Sequence, residues 1–494
     1  MKNPLKLIVA FFIIYLCSIF NLFPQTDLQK VLSTVHLNDV KGHLTFIASD
    51  ELKGRNTGSE GLKIAAQYIK SQLMSYGAMP APGMEDYLQE VPLSVNTPPE
   101  RGTITLDGNL LNYPDDFVIL GGKNNMGNFS FIYVGYGSES DLSSTDLSNK
   151  IAISICGDGK SKNPQSWFYE ARDKINRLKK AGAIGLIELF QSNRVPFKFL
   201  KQQFARTQMS LDSEKKGDFL HIWINAANKV KISTLNGNGE LELLIEMPDN
   251  EVAKSQNVIG FIEGIDPILK NEFIVYSAHY DHIGIGNADA TGDTIYNGAR
   301  DNGVGTTAIL EVAENIAKYP TRRSALFVFF TGEEKGLLGS KYFVENCPVE
   351  LKDVVYNFNI DNGGYNDTTI ISVVGLDRTT AGDNIQTSCN VFGLEAIEDP
   401  AKEQGLFDRS DNVNFAKKGI PAPTFSLGFR SFDAEIFKYY HQPGDEVESL
   451  DFDYLLKYFR AYVLSARKIA NDSEKPFWVE GDKYYEAGVE LYGR

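Results

Sequence analysis

Carboxylate and imidazole side chains that could bind metal ions follow a series of apolar runs in the second half of the chain. They are His279, Asp281, Asp301, Glu333, Glu334, Asp361 and His441. Two histidines with three of these five carboxylates make a nitrogen and oxygen ligand set that suits zinc without any thiolate. Two zinc ions about 3.5–4 Å apart, sharing one carboxylate and a water, would use such a set. The residue types therefore predict a zinc centre.

Glu333 and Glu334 form an adjacent pair behind the apolar run ALFVFFT. Consecutive residues of an extended chain point in opposite directions, so the two carboxylates can serve different purposes. A single Glu-Glu pair is weak evidence, as is the single HxD of His279 and Asp281, because charged residues are mostly solvated. The order of the candidates within one segment, each beside an apolar strand or a glycine-rich turn, is stronger evidence for a shared site.

The elements that must position these residues alternate between strand and helix from about residue 257 onward. Strands are predicted at 273–279, 325–331, 354–361 and 423–427, and helices at 306–319 and 336–346. This alternation predicts an α/β fold, with a mostly parallel mixed sheet and helices on both faces. In such sheets ligands bind at the carboxyl ends of the strands, which is where the candidates lie.

The stretch 98–250 has a different texture, with short strands bounded by Gly, Asn and Asp and one helix at about 171–181. This pattern predicts a mainly-β domain with its own core, inserted into the α/β domain. An amphipathic helix with an apolar stripe from Ile64 to Leu73 precedes it and is expected to end at Gly77. The predicted divisions are a signal peptide at 1–25, an N-terminal part of the α/β domain at 26–97, the insert at 98–250, the main α/β segment at 251–475 and a C-terminal tail at 476–494.

The N-terminus carries the pattern of an export signal. Lys2 and Lys6 precede an apolar run from Leu7 to about Phe20. A basic start and a short apolar stretch are typical of a signal peptide, and the run is too short to span a bilayer comfortably. We therefore expect export to a periplasm or the exterior, with an uncleaved N-terminal anchor as the alternative and no other stable membrane association.

Composition and charge exclude some classes of protein. The chain has 494 residues, 43% hydrophobic and 23% charged, which is globular composition and too long for one ordinary core. The net charge of −15 argues against nucleic acid as a partner, because phosphate binding needs clustered Lys and Arg. The four cysteines are far apart and form no C-x-x-C pair, so neither a disulfide framework nor a cysteine zinc site is predicted.

Five segments resemble the ligand-bearing segments of one known family. They are HYDHIGIG, NGARDNGVGTTAILEVA, FFTGEEKGLLGSKYFVEN, NIDNGG and YHQPGDEVESLD, in this order. The family is that of the co-catalytic di-zinc aminopeptidases, a group that also holds glutamate carboxypeptidases and glutaminyl cyclases. LTFIASDELKGRNTGSEGLKIAAQYI resembles the N-terminal stretch of its exported bacterial members. NKIAIS and KKAGAIGLIEL resemble the protease-associated domain that these enzymes often carry as an insertion.

The resemblance implies a metal ligand for each of two zinc ions. His279 and Asp361 would hold one ion, Glu334 and His441 would hold the other, and Asp301 would bridge both. The fold that the resemblance implies is the α/β fold of the zinc exopeptidases, which agrees with the pattern of strands and helices.

Two catalytic residues are implied as well. Glu333 would act as the general base that takes a proton from the zinc-bridging water and returns it to the leaving amine. Asp281 would hydrogen-bond His279 and fix its tautomer. The activity implied is that of an exported zinc-dependent aminopeptidase that hydrolyses N-terminal residues from peptides.

The sequence departs from the family pattern beside the ligands. Arg300 precedes the bridging aspartate where many members have a small or acidic residue, and Asn362 follows the next aspartate ligand where an apolar residue is common. Asn412 stands at the histidine position of a Ser-Asp-His pocket segment. These changes bear on substrate preference more than on metal binding. His282 is expected near the centre or at the surface rather than as a ligand.

Three other functions remain open at this point. A glutaminyl cyclase would need a single zinc, which fits poorly with the retention of all five ligands. A carboxypeptidase would need a cationic pocket for the substrate carboxylate, and Arg300, Arg409 or Arg430 could supply it. A binding protein on a degenerate peptidase fold would be favoured by the loss of ligands, and none is lost.

Overall fold

A computed structural model of the chain describes residues 25–123, 125–161, 164–192, 195–214, 218–226, 230, 237–248 and 251–494. The chain divides into two compact units. The first comprises Met1–Val91 and Lys254–Arg494, and the second, which we call the inserted unit, comprises Pro92–Ala253. The predicted insert at 98–250 overlaps the inserted unit. The predicted signal peptide lies outside the described residues, except for residue 25.

A mixed sheet forms the centre of the first unit. Its strands lie in the order Glu395–Glu398, Ile370–Val374, Thr424–Leu427, Val354–Ile360, Phe273–His279, Ser324–Phe330, Glu251–Ile262 and Leu88–Asn96, with Met79–Pro80 paired to Glu251–Ile262. The three central strands are parallel, and their register sets His279 opposite Phe330 and Ala278 opposite Ile360. Their carboxyl ends therefore meet at one edge of the sheet.

Alternate side chains of the central strands enter two different cores. Ile274 and Tyr276 pack in one core with residues of the long helices. Val275 packs in the other core with Phe343 and Phe415 from the opposite face. This alternation follows from the period of two along a strand, and it places helices on both faces of the sheet. The predicted α/β fold, a mostly parallel mixed sheet covered on both faces, is confirmed.

The helices of the first unit are Asp27–Leu32, Leu37–Ile47, Glu60–Tyr76, Gly305–Lys318, Leu338–Glu345, Gly382–Val391, Asn412–Ala416, Ala434–Phe437, Phe452–Asn471 and Tyr485–Tyr492. Three of them correspond to predicted helices, namely Glu60–Tyr76, Gly305–Lys318 and Leu338–Glu345. The helix Glu60–Tyr76 begins after Ser59, whose hydroxyl accepts a hydrogen bond from the Leu62 amide. It ends at Gly77, where φ is 87° and glycine is favoured, as the sequence predicts.

The inserted unit contains a sheet of its own. Its strands lie in the order Asn109–Asn112, Gly102–Leu106, Asn238–Ile245, Asn125–Tyr133, Ile151–Ile155, Gly185–Phe190, Leu220–Asn225 and Phe117–Gly121. The helices are Glu139–Leu142, Pro164–Lys180 and Phe197–Phe204, and Gln208–Leu211 pairs with the end of Leu88–Asn96. The helix predicted at 171–181 begins seven residues earlier. Ile153, Ile187 and Ile222 pack in a core formed within this unit.

Candidate metal centre

The parallel strands bring His279 and Asp361 together at their carboxyl ends. His279 is the last residue of its strand, and Asp361 directly follows the neighbouring strand. The His279 Nε2 atom lies 3.4 Å from Asp361 Oδ1 and 3.3 Å from Asp301 Oδ1. Asp301 reaches this point from the irregular turn Ala299–Val304, which precedes the helix Gly305–Lys318. These three side chains form the first group of candidate ligands.

A second group surrounds the other oxygen of Asp301. His441 Nε2 lies 3.2 Å from Asp301 Oδ2 and 3.4 Å from Glu334 Oε1. Glu334 follows the strand Ser324–Phe330, and His441 lies in a loop with a φ of 54°. Asp301 thus presents one oxygen to each group. The structure brings together all five residues that the sequence predicts as metal ligands, with Asp301 between the other four.

The donor atoms fit zinc because several of them lack any other partner. His279 Nε2 and Glu334 Oε1 are buried and have no hydrogen-bond partner among the described residues. Buried polar atoms are normally paired, so orphaned atoms that converge on one point indicate a missing ligand. Imidazole nitrogens and carboxylate oxygens are the donors that zinc accepts, and the described residues contribute no thiolate to either group.

The charges in the cluster are strongly coupled. Burial disfavours the charged form of Asp301, but the close imidazoles of His279 and His441 hold its pKa well below the ordinary value. Burial likewise opposes the charged form of His441, but Asp301 and Glu334 raise its pKa to about 10. Without a metal ion His441 therefore holds a proton that a zinc ion would have to displace.

The hydrogen bond that orients His279 differs from the prediction. His279 Nδ1 donates to the main-chain carbonyl of Asp281 at 3.1 Å, whereas the Asp281 carboxylate is 3.8 Å away. A carbonyl only accepts, so Nδ1 carries the proton and Nε2 is left for a metal ion. The Asp281 carboxylate instead accepts from Thr57 Oγ1 at 2.8 Å and from the Glu333 amide at 3.2 Å. Asp281 thereby holds the backbone of Glu333 in place.

Glu333 opens into the same cavity as the candidate ligands. Removal of its side chain from bulk water, together with the charges of Asp361, Glu334 and Asp411, holds its pKa well above the ordinary value. Glu334 lies among the ligands of the second group, whereas Glu333 faces the cavity. The two neighbouring side chains thus point in different directions, as an extended backbone predicts. A carboxyl with a raised pKa beside a metal centre is suited to exchange protons.

Sequence reasoning missed the depth of His282. Its side chain is fully buried, and its Nδ1 atom lies 2.8 Å from Glu334 Oε1. Both of its ring nitrogens lack a hydrogen-bond partner among the described residues, and with Asp301 and Glu334 it forms a further candidate set of ligands that overlaps the second group. His282 therefore belongs to the centre and not to the surface. Its place three residues after His279 was the only signal available.

The loop Gly54–Thr57 was also missed, although it holds two ligand-bearing segments together. The buried Arg55 guanidinium donates to the carbonyls of Tyr280 at 2.9 Å and Gly298 at 3.1 Å. The Arg55 carbonyl accepts from the His282 amide at 3.1 Å. Gly54 has a φ of 65°, and a Cβ there would lie 2.5 Å from two carbonyl oxygens, so only glycine fits.

Arg300, which departs from the family pattern, fastens the His441 loop to the turn of Asp301. Its guanidinium bonds Asp445 at 2.9 Å and Ser449 at 2.6 Å, and it lies 3.7 Å over the Tyr439 ring. The amides of Arg300 and Asp301 also donate to the Asp445 carboxylate. Arg300 is only 3% exposed, so it is a structural residue here and is not free to bind a substrate.

The two asparagines that depart from the pattern are likewise used inside the protein. Asn362 donates to Asn302 Oδ1 at 3.0 Å and accepts from the Leu427 amide at 2.8 Å. Asn412 donates to the carbonyls of Phe407 and Ala422. Both side chains are fully buried. They therefore support the strands and loops around the centre without entering the cavity.

A cavity of about 120 Å³ opens beside the metal centre. Its wall carries apolar side chains, which are Val374, Leu406, Phe429, Phe432 and Ile436. Polar residues complete the lining, which are Arg409, Ser410, Thr424, Ser426 and Tyr440. A concave pocket with an apolar wall, a few polar groups and titratable residues with shifted pKa values is the usual form of a small-molecule or peptide-end site.

Part of the chain is similar to a known family of sequences. Residues 257–464 match the sequence model of Peptidase family M28. The chain is 31% identical over 202 residues to Aminopeptidase YwaD of Bacillus subtilis, covering 40% of each protein. It is 27% identical over 213 residues to a probable leucine aminopeptidase of Arthroderma otae, covering 42% of this chain and 54% of that protein. The chain thus spans about half the length of these relatives or less.

A solved structure agrees with the fold. The aminopeptidase from Aneurinibacillus sp. strain AM-1 superposes with a TM-score of 0.58 at 19% identity, covering 91% of this chain and 97% of that one. At this identity the likeness concerns the fold alone. Residues 257–464 are therefore similar to Peptidase family M28, and the matched range contains every candidate metal ligand, from His279 to His441.

Proposed function

We propose that this protein is a zinc-dependent aminopeptidase that removes N-terminal residues from peptides and uses two zinc ions. The observation that carries the proposal is the placement of Asp301 between two ligand groups, with Glu333 in the same cavity. His279 and Asp361 would hold one ion, and Glu334 and His441 the other. The aminopeptidase names of the similar proteins support the same reading.

The residues of this chain have separate tasks in the proposed reaction. Zinc, when bound, supplies Lewis-acid chemistry that polarises the scissile carbonyl and makes water easier to deprotonate. The Glu333 carboxylate accepts the proton from the attacking water and passes it to the departing amine. The Asp281 carboxylate accepts a hydrogen bond from the Glu333 amide and so holds the Glu333 backbone in place. Thr57 Oγ1 donates to the other oxygen of this carboxylate and orients it. Tyr440 lines the cavity, and because burial raises its pKa it stays protonated and can donate a hydrogen bond.

The charges beside the metal centre favour binding of the free ammonium group of a peptide there over binding of its terminal carboxylate. Four carboxylates line the cavity, namely Asp301, Glu333, Glu334 and Asp361. Of the three arginines that a carboxypeptidase could use, Arg300 is buried against Asp445 and Arg430 is paired with Asp367 at 2.8 Å, which leaves Arg409 alone in the cavity lining. A free ammonium group is therefore the better complement to this part of the cavity.

We extend the proposal to location and to the inserted unit. The basic and apolar N-terminus supports export to a periplasm or the exterior. Within the part of the chain that the structure describes, every helix is too short or too polar to cross a membrane. The sheet of the inserted unit and its motifs support a protease-associated domain.

Zinc analysis combined with substrate hydrolysis tests the proposed function. The protein should bind about two zinc ions and release free amino acids from aminoacyl-anilides. Glu333→Gln should keep the zinc and lower kcat by about 10²- to 10⁴-fold, as expected for loss of a general base. The exposed Glu345 provides a matched control, and Glu345→Gln should leave kcat unchanged. Zinc-loaded protein that is inert on every N-terminal residue, or a pyroglutamyl product, would refute the aminopeptidase function.

A further inference from the structure

Arg409 differs from the other arginines near the metal centre because its charge is free. It lines the cavity and is exposed, and its guanidinium makes no hydrogen bond or ion pair with a described residue. Arg300 and Arg430, by contrast, are both paired with aspartates. Among the described residues that line the cavity, Arg409 is the one guanidinium. A cation in the wall of a substrate cavity that the protein itself does not neutralise is available to a substrate anion.

Two hydroxyl groups that also line the cavity, those of Ser410 and Thr424, have protons that are free to donate. The Asn359 side-chain amide donates to Ser410 Oγ at 3.0 Å and to Thr424 Oγ1 at 3.2 Å. These bonds make the two hydroxyl oxygens acceptors, so each hydroxyl can still donate its own proton. Neither hydroxyl donates to a described residue. Both side chains are nevertheless buried, Ser410 at 6% and Thr424 at 4% exposure, and buried donors are normally paired. Arg409, Ser410 and Thr424 therefore bring free hydrogen-bond donors to the cavity lining.

We propose that this cavity recognises a carboxylate of the substrate, bound by the Arg409 guanidinium with the hydroxyl groups of Ser410 and Thr424 as further donors. A carboxylate only accepts hydrogen bonds, and a guanidinium binds it through two parallel N–H groups. The apolar wall, with Val374 and Phe429, can pack against the methylene groups that lead to that carboxylate. The proposal rests on the proposed peptidase function and adds a substrate class to it.

A peptide can bring a carboxylate to this place in two ways. An N-terminal glutamate or aspartate would place its side chain in the cavity while its amino group faces the metal centre. A substrate cleaved from its other end would instead present its C-terminal carboxylate. The chemistry that Arg409 recognises is the same in both cases, so the two sources are separated by the substrates used in the test.

The test compares acids with their amides on the zinc-loaded full chain. Glutamyl-anilide is compared with glutaminyl-anilide, with leucyl-anilide as the reference for basal turnover. An N-acetyl dipeptide with a free C-terminus is compared with its C-terminal amide. We expect one acid to exceed its amide by about 10- to 100-fold in kcat/KM, chiefly through KM, as for a charged hydrogen bond. Arg409→Gln should abolish this preference, whereas Arg430→Gln should retain it.

Each outcome decides the proposal. The proposal is overturned if acids and amides differ less than twofold in kcat/KM, or if the preference for an acid survives in Arg409→Gln. Turnover of leucyl-anilide in the same experiment would show that the peptidase function itself still holds. If no substrate is cleaved, the peptidase function is refuted. The carboxylate proposal is then tested by calorimetry, which compares the affinity for glutamate with that for glutamine, and the affinity for the N-acetyl dipeptide acid with that for its amide. Tighter binding of one acid that is lost in Arg409→Gln supports the proposal, and equal binding of both pairs overturns it.

Discussion

Each unit of the molecule buries a cluster of charged side chains, and the two clusters are built in opposite ways. The inserted unit holds Lys174, Glu188, His221 and Trp223, which we call the Lys174 cluster. The first unit holds the metal centre around Asp301. In the Lys174 cluster every charge has partners within the protein, whereas in the metal centre several buried donor atoms have none.

The Lys174 cluster satisfies its own charges. Lys174 Nζ donates to Glu188 Oε1 at 2.7 Å and also to the carbonyls of Ile155 and Gly157. The other Glu188 oxygen lies 2.8 Å from His221 Nε2 and accepts from Trp223 Nε1 at 2.8 Å. Lys174 and Glu188 are both fully buried. Such an internally paired network fixes a fold and leaves nothing to bind.

The contrast gives a rule for reading buried charges in this protein. A cluster whose polar atoms are all paired contributes to stability, and its loss should be felt in unfolding. A cluster whose atoms converge without partners is complete only with a ligand, and its loss should be felt in binding and turnover. The following substitutions separate these two kinds of effect.

The largest effect is expected from Glu334→Ala in the metal centre. The protein should lose one zinc ion, and kcat/KM should fall by more than about 10³-fold, because a metal ion supplies several kcal/mol of charge stabilisation. The urea midpoint of the metal-free protein should fall only slightly, because the pairing of Glu334 with His282 and His441 is partly offset by repulsion from the Asp301 carboxylate. Zinc analysis and unfolding of chelator-treated protein measure both quantities. A large loss of metal-free stability would place Glu334 in the same class as Glu188.

Glu188→Gln in the Lys174 cluster should have the opposite signature. It leaves Lys174 buried without its counter-ion, which is expected to destabilise the inserted unit by about 3–5 kcal/mol. Zinc content should remain unchanged. Urea unfolding followed by tryptophan fluorescence reports this change, because Trp223 belongs to the cluster. In the double variant with Lys174→Met the loss should be smaller than in Glu188→Gln alone, and an equal or larger loss would argue against a coupled pair.

The pH dependence of this loss follows from the Glu188 pKa. Burial alone would raise that pKa, but the hydrogen bond from His221 and the charge of Lys174 bring it below the ordinary value. A depressed folded-state pKa stabilises the fold above the unfolded-state value of about 4.3, and this contribution disappears as the pH falls through the folded-state pKa. The difference between the wild type and Glu188→Gln should therefore shrink in acid.

The sequence predicts one part of the metal centre better than the other, for a physical reason. His279, Glu334 and Asp361 follow apolar strands, and parallel strands bring their carboxyl ends together whatever the loops do. The strands and the α/β fold could therefore be predicted from periodicity. The family resemblance was needed to assign His441, because its loop has no local pattern that points to the centre.

Contacts between distant segments could not be predicted at all. Arg55 meets the carbonyl of Tyr280 across 225 positions of the sequence, and no periodicity encodes such a contact. The main-chain carbonyl of Asp281 accepts the hydrogen bond from His279 Nδ1. The Asp281 carboxylate is therefore available to Thr57 and to the Glu333 amide, which the sequence does not indicate. Glu188 was a missed signal of another kind, since a single glutamate inside the apolar strand Gly185–Phe190 already indicates a buried partner.

His282→Asn tests whether the unpaired histidine belongs to the metal centre. Its Nδ1 atom is 2.8 Å from Glu334 Oε1, so the substitution should weaken binding of one zinc ion by about 10- to 100-fold. The exposed His36 has no side-chain capping bond, and His36→Asn is the matched control. Competition with a zinc chelator of known affinity measures the change. Unaltered zinc affinity would show that His282 has only a structural role, like the residues of the Lys174 cluster.

Thr57→Val should have the smallest effect and defines the outer limit of the metal centre. The substitution keeps the shape of the side chain but removes the hydrogen bond to the Asp281 carboxylate, which holds the Glu333 amide. Losing one hydrogen bond to a charged group should lower kcat by about tenfold through misplacement of Glu333, with KM and zinc content unchanged. Thr57→Ser retains the hydroxyl and should restore kcat. A kcat that stays low in Thr57→Ser, or a fall in zinc content, would show that Thr57 acts through packing or metal binding and that Asp281 does not position the base.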